Sequence, residues 1–230
     1  MGEHDNHRQR VYNRFLKEGL SGFEEHNAME FLLFLARARS DTNSLAHTLI
    51  AHFGTVAKTL DAPIEELEKI DGVSHTTAVV LKFIPEMCAY YLESKLMDTK
   101  VLDSVTVCGE YFKPKFFGKT EEALFMVTLD EKRQIIRCTQ ISSGTANATS
   151  ISVQKIVTEA VHTKATGVII AHNHPNGIAL PSAQDVNMTA KLKSALKYIN
   201  VLLLDHLIFC EDDYISFAAT LRLQDIIDTE

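Results

Sequence analysis

Four apolar residues in a row, Val168 to Ala171, run without a break into His172-Asn173-His174-Pro175. A run this short and this apolar, with Gly167 before it, reads as a buried strand. Pro175 has no N–H to give to a ladder, so the strand is expected to stop there. A turn just past the strand end is then the expected place for the two imidazoles to converge. Ser182 follows as the opening residue of a helix expected to reach about Tyr198, and it puts Asp185 in the first turn.

The segments on either side extend this pattern. Ala123 to Leu129 reads as a strand, Asp130-Glu131-Lys132-Arg133 as a polar turn and Gln134 to Ser142 as a second strand, which is a hairpin signal. Residues 153–165 have helical spacing and end at Gly167. Val201 to Cys210 is a strand, Glu211-Asp212-Asp213 a turn and Tyr214 to Phe217 a short return strand. The order β-β-α-β-α-β-β predicts one mixed sheet with helices packed on it.

The first part of the chain has a different texture. Residues 8–95 read as helix throughout. Ala28 to Ala38 carries a broad apolar face, and Leu45, Leu49, Ile50 and Phe53 follow at helical spacing with Gly54 where a C-terminal cap belongs. Pro63 opens a short helix through Ile70, Asp71-Gly72-Val73-Ser74 turns the chain, and a further helix runs from about His75 to Tyr91. Residues 94–104 read as a linker. The expected organisation is a helical domain over 1–95 and a sheet domain over 96–230.

Composition narrows the class. The chain has 230 residues, 46% apolar and 23% charged, ordinary values for a soluble globular protein. No apolar run approaches the roughly 20 residues that cross a bilayer, and MGEHDNHRQR lacks the apolar core of a secretory signal. The expected location is therefore the cytoplasm, with no membrane partner. Cysteines 88, 108, 138 and 210 are widely and irregularly spaced, which fits free and mostly buried thiols better than a disulfide framework or a cysteine zinc site. The formal charge is −7; residues 1–98 hold 10 Lys and Arg against 15 Asp and Glu, a net of −5. That balance weighs against strong non-specific binding of nucleic acid.

Two imidazoles and one carboxylate, with a fourth position left for water, make a ligand set suited to a catalytic divalent metal. Ser182 and Asp185 also read as a helix N-cap and its acidic partner, and that role is compatible with ligation. Other His-x-His hydrolases are set aside. Only 56 residues follow His174, too few for a (β/α)8 barrel built from that point. The Pro-Cys-x-x-Cys of zinc deaminases and the His-Glu-x-x-His of zincins are absent.

The string H-x-H-P-x6-S-x-x-D, from His172 to Asp185, resembles the JAMM signature of JAB/MPN-domain zinc hydrolases. The finer match is to the RadC branch, through His172-Asn173-His174-Pro175-Asn176-Gly177, Pro181-Ser182, Asp185 and Asp205-His206. The segment Leu67 to Leu81 also resembles the helix-hairpin-helix module found there, although a simple αα-hairpin used for packing remains an equal reading. The resemblance implies an α+β fold: an N-terminal helical, helix-hairpin-helix-like domain followed by a JAB/MPN-type mixed β-sheet flanked by helices.

The resemblance also implies one Zn²⁺ held by His172, His174 and Asp185. Glu122, eight residues before Asp130, stands at the place of the family's catalytic glutamate, with Glu121 as its neighbour facing the other way. Ser182 would donate to the oxyanion, and His206 is either a support behind the metal or a buried structural histidine. The implied reaction is hydrolysis of a peptide or isopeptide bond in a peptide or protein substrate. The alternatives are a DNA-associated accessory protein of the RadC type and a metal-dependent nuclease. Two departures stand out: Val153-Gln154-Lys155 occupies the place of a Pro-Arg-Glu block, and Ile178-Ala179-Leu180 is more apolar than its family counterpart. Nothing in the sequence sets an oligomeric state.

Overall fold

In the computed structural model, residues 3–37, 41–96, 100–144, 149–175, 177–211 and 213–220 are described, and they divide between two compact units, 1–88 and 89–230. The first is helical: α1 (Glu3–Glu18), α2 (Glu25–Ala36), α3 (Asn43–Phe53), α4 (Val56–Asp61), α5 (Ile64–Leu67) and most of α6 (His75–Lys95). Its core is an aliphatic cluster that includes Met29, Leu33, Leu45, Leu49, Leu67 and Leu81. Gly54 ends α3 with φ 98°, a value that costs glycine nothing and other residues a good deal. The hairpin turn also falls at a left-handed glycine, Gly72. The cations around that turn are engaged within the unit. Lys69 pairs with Glu66 at 2.6 Å, Lys82 Nζ donates to the Leu60 carbonyl at 2.7 Å, and Arg37 donates to the carbonyl of Gly72.

The second unit adds α7 (Val105–Phe116), β1 (Ala123–Leu129), β2 (Ile135–Ser143), α8 (Thr149–His162), β3 (Gly167–Asn173), α9 (Ala183–Tyr198), β4 (Leu202–Cys210), β5 (Asp213–Ser216) and α10 (Phe217–Thr220). Its five strands lie in the order β2-β1-β3-β4-β5. Only β3 and β4 run parallel; the other neighbours are antiparallel. The result is a mixed sheet with flanking helices, the architecture that the sequence resemblance implies. All seven residues of β3 are buried. Val168 and Ile170 pack with Ile156, Leu192 and Leu196 from α8 and α9, whereas Ile169 and Ala171 pack with Cys108 and Phe112 from α7. A strand covered on both faces needs apolar residues at every position, which is why Val168 to Ala171 shows no alternation.

Helix α7 lies where the sequence reading assigned no element. Its signals are masked by Gly109 and Pro114, both poor in helix interiors. Gly109 packs against the Tyr214 ring, which a Cβ there would overlap. Pro114 falls in the last turn, and Ser104 caps the start by accepting from Val107 N–H at 3.3 Å. Three further expectations are corrected. Helix α6 continues four residues past Tyr91 to Lys95. The return strand stops at Ser216, and Phe217 begins a short helix. The four cysteines are free, but only Cys108 is fully buried and Cys88 is exposed. Among the described residues no helix is long and apolar enough to cross a membrane.

Phe112 is fully buried between α7 and the sheet. Phe112→Ala is expected to lower the unfolding free energy by about 3–5 kcal/mol, measured by urea denaturation. A change under about 1 kcal/mol would mean that α7 is not part of this core.

Candidate metal centre

Strand alternation sets up the site. His172 is the penultimate residue of β3 and pairs across to Leu124 of β1 and Ile208 of β4. Residues two apart on a strand share a face. His174, one residue beyond the strand, therefore needs no turn to meet His172, contrary to the expectation that a turn brings the rings together. The two Nε2 atoms lie 2.9 Å apart. Their rings meet edge-on, with centroids 4.8 Å apart and an interplanar angle of 63°.

Asp185 arrives from α9. Ser182 is the N-cap, and the capping box is complete: Asp185 N–H donates to Ser182 Oγ at 3.2 Å, and Ser182 N–H donates to Asp185 Oδ2 at 2.7 Å. The Ser182 hydroxyl gives its single proton to the same Oδ2, at 2.6 Å. With Oδ2 held in this way, Oδ1 stands 3.2 Å from His172 Nε2, and Oδ2 stands 3.5 Å from His174 Nε2. The capping role and the convergence on the histidines thus belong to one carboxylate.

His172, His174 and Asp185 each offer one ligand atom, and the three atoms lie within 4.8 Å of one another. His174 Nδ1 faces the Ile178 carbonyl at 3.2 Å. A carbonyl can only accept, so Nδ1 carries the proton and Nε2 presents its lone pair. Two acceptors, that nitrogen and the Asp185 carboxylate, are therefore directed at one small volume beside His172. The arrangement fits a cation, and the three residues could hold a metal ion. Burial alone would raise the Asp185 carboxyl, but a doubly protonated His172, through its hydrogen bond and charge, together with the Ser182 hydroxyl and N–H, outweighs it and holds Asp185 well below the ordinary carboxylate range.

Behind His172 stands a second buried layer. His172 Nδ1 lies 2.8 Å from His206 Nε2, and His206 Nδ1 lies 2.7 Å from Thr189 Oγ1. Burial, the largest cause, pushes His206 well below the ordinary imidazole range. Phe217 stacks on it at 4.7 Å. Asp205 fixes that stack: its carboxylate accepts from Ser216 Oγ at 2.6 Å and from Ala218 N–H at 2.9 Å, on both sides of Phe217. Burial raises the Asp205 carboxyl despite these bonds.

Glu122 lies just before β1 and lines the same cleft as His172 and Asp185, with Ser142, Gly144 and Met188 also on its wall. Glu121 is not among the lining residues. Asn173 holds this segment from both sides: its Oδ1 accepts from Ala123 N–H at 2.7 Å, and its Nδ2 donates to the Glu121 carbonyl at 3.2 Å. These two bonds lie outside what the sequence alone predicts for Asn173. Its place between two histidines at a strand end was the available signal, because a buried amide there must find both a donor and an acceptor.

The family model described as RadC-like JAB domain matches residues 95–223. A UPF0758 protein of Fusobacterium nucleatum is 28% identical over 226 residues, covering 94% of this chain and 97% of that relative.

The depressed Asp185 carboxyl has a pH consequence for metal-free protein. A group whose folded value is lowered contributes stability that is complete above its unfolded value, near 3.9, and is lost as pH falls through the folded value. The stability difference between wild type and Asp185→Asn, from urea unfolding in chelator, is expected to be constant near neutral pH and to shrink below pH about 4. A difference that stays unchanged at the most acidic pH tested would remove the electrostatic account of this carboxylate.

Proposed function

The chain belongs to the RadC-like JAB domain family, and from that premise we propose that it is a zinc-dependent hydrolase of the JAMM type, cleaving a peptide or isopeptide bond. The observation that carries the proposal is the convergence of His172, His174 and Asp185, two of which, His172 and Asp185, line a cleft together with Glu122. Two imidazoles and a carboxylate are the ligand types and number of an open catalytic zinc site. When bound, zinc supplies Lewis acidity that makes water a nucleophile near neutral pH and polarises a carbonyl.

The chain's own residues do the rest in this reading. Glu122 takes a proton from the attacking water and returns it to the leaving amine. Asn173 holds the backbone on either side of Glu122, which keeps that carboxylate at the cleft. Ser182 orients Asp185 at rest; rotation of its hydroxyl away from Oδ2 frees one donor for the oxygen that gains negative charge.

Two features favour an amide substrate. The cleft is only about 100 Å³, well below the roughly 300–1,000 Å³ of pockets that enclose a small molecule. A scissile group fits there while the rest of a chain lies outside. The lining also holds Glu122 and Asp185 and, among the described lining residues, no Lys or Arg. A lining without lysine or arginine has no side-chain cation to hold a phosphodiester and suits a neutral amide, which favours the peptidase reading over a nuclease.

Glu122→Gln is expected to keep one zinc per chain by elemental analysis and to lose about 10²–10⁴-fold in turnover of a cleaved peptide. Wild-type protein that takes up no zinc, either on purification without chelator or on titration, would end this reading.

A role as a DNA accessory would need free cations at the hairpin turn, and Lys69 and Lys82 there are bonded to Glu66 and to the Leu60 carbonyl. Titration of duplex DNA at two salt concentrations is expected to show no binding with the steep salt dependence of phosphate contacts. Tight, salt-sensitive binding would restore the accessory role.

A further inference from the structure

We propose that Thr189 and His206 form a one-way hydrogen-bonded relay, anchored on the backbone carbonyl of Asp185, that sets the tautomer of His172 and so presents its Nε2 lone pair to the metal. The tautomer half rests on hydrogen-bond chemistry alone; the metal half rests on the zinc reading above.

The direction of the relay follows from its first member. The Thr189 hydroxyl lies 2.6 Å from the Asp185 carbonyl, which can only accept. The hydroxyl's one proton is therefore committed there, and its oxygen must accept from His206 Nδ1 at 2.7 Å. His206 thus carries its proton on Nδ1. The ring is fully buried and has no carboxylate among its hydrogen-bond partners, so a second proton would leave an uncompensated charge in the core. His206 Nε2 is then an acceptor, and the proton of the 2.8 Å contact belongs to His172 Nδ1. A neutral His172 with its proton on Nδ1 has only a lone pair on Nε2, the atom that faces His174 and Asp185.

The relay joins two of the three candidate ligands. It begins on the backbone of Asp185 and ends on the side chain of His172. Reversing any one bond would set the lone pairs of the Thr189 oxygen and the Asp185 carbonyl against each other at 2.6 Å, or place two protons between the rings. Thr189 and His206 are each 0% exposed, so bulk solvent does not reach them to relax the order. They act through His172 and are positioning residues. Metal-binding histidines depend on such outer partners, whose loss commonly costs about 10–100-fold in metal affinity.

The test uses the full chain labelled with ¹⁵N-histidine and stripped of metal. Long-range ¹H–¹⁵N spectra report which ring nitrogen of His172 carries the proton. Wild type and Thr189→Ser are expected to show His172 protonated on Nδ1, with equal affinity for zinc by competition against a chromophoric chelator. Thr189→Val keeps the shape but removes the anchor; it is expected to mix the two His172 tautomers and to weaken zinc about 10–100-fold. A wild-type His172 protonated on Nε2 overturns the relay, and this outcome needs no variant to fold. A folded Thr189→Val with wild-type tautomer and zinc affinity overturns it as well. Wild type with the expected tautomer but no affinity for zinc leaves the relay standing as a hydrogen-bond device and removes the metal half together with the hydrolase reading.

Discussion

The site depends on β3 being laddered on both sides. His172 is held by its neighbours on β1 and on β4, and the strand that carries it is buried along its whole length. A side chain on a central strand has little freedom to move without breaking two ladders. The imidazole is therefore a fixed point, and the other groups are delivered to it. Asp185 comes on a helix start, Glu122 on a strand start and His206 on the parallel neighbour. Two of these elements, β1 and β4, are bonded directly to β3, so their register sets the site geometry.

Asp185 shows how few residues are needed to couple helix to metal site. Its Oδ2 closes the capping box with Ser182, its Oδ1 faces His172, and its backbone carbonyl receives Thr189. An N-terminal helical position also favours a carboxylate through the helix dipole, by about 0.3–1 kcal/mol. Helix formation and ligand placement are thus the same local event. Removing the carboxylate would disturb the end of α9 as well as the ligand set, so metal affinity and fold stability cannot be separated at this position by a single substitution. Substitutions at Thr189 and His206 leave both capping-box residues and all three candidate ligands in place, and so allow that separation.

Much of this was legible in the sequence, for identifiable reasons. The strands of the sheet and α9 carry strong local signals: apolar runs bounded by turns, and a Ser-x-x-Asp helix opening. His172, His174 and Asp185 stood out together as a motif, although strand alternation and the helix cap join them where a turn at Pro175 was expected. Helix α7 was not legible, because Gly109 answers to Tyr214 more than a hundred residues away and weakens the helical pattern. The roles of Asn173, Thr189 and His206 were hidden for a similar reason. Each is defined by a partner on another element, and spacing along one segment carries no information about that partner. Asp205-His206 stood out as a motif, but its meaning depends on the fold of Ser216 to Ala218 around it.

The most economical part of the arrangement is the segment His172-Asn173-His174. Alternation places both imidazoles at one point, and the residue between them reaches sideways to the start of β1. Its amide occupies the Glu121 carbonyl and the Ala123 N–H, which leaves Glu122 as the one residue of that triplet whose backbone it does not touch and whose side chain lines the cleft. A slip of one residue in the pairing of β1 with β3 would exchange Glu121 for Glu122 at the cleft. The Asn173 bonds oppose that slip at the strand's open end, where the regular ladder between Leu124 and His172 has finished. Register at this end is therefore set by a side chain, and the identity of the carboxylate beside the candidate ligands depends on it.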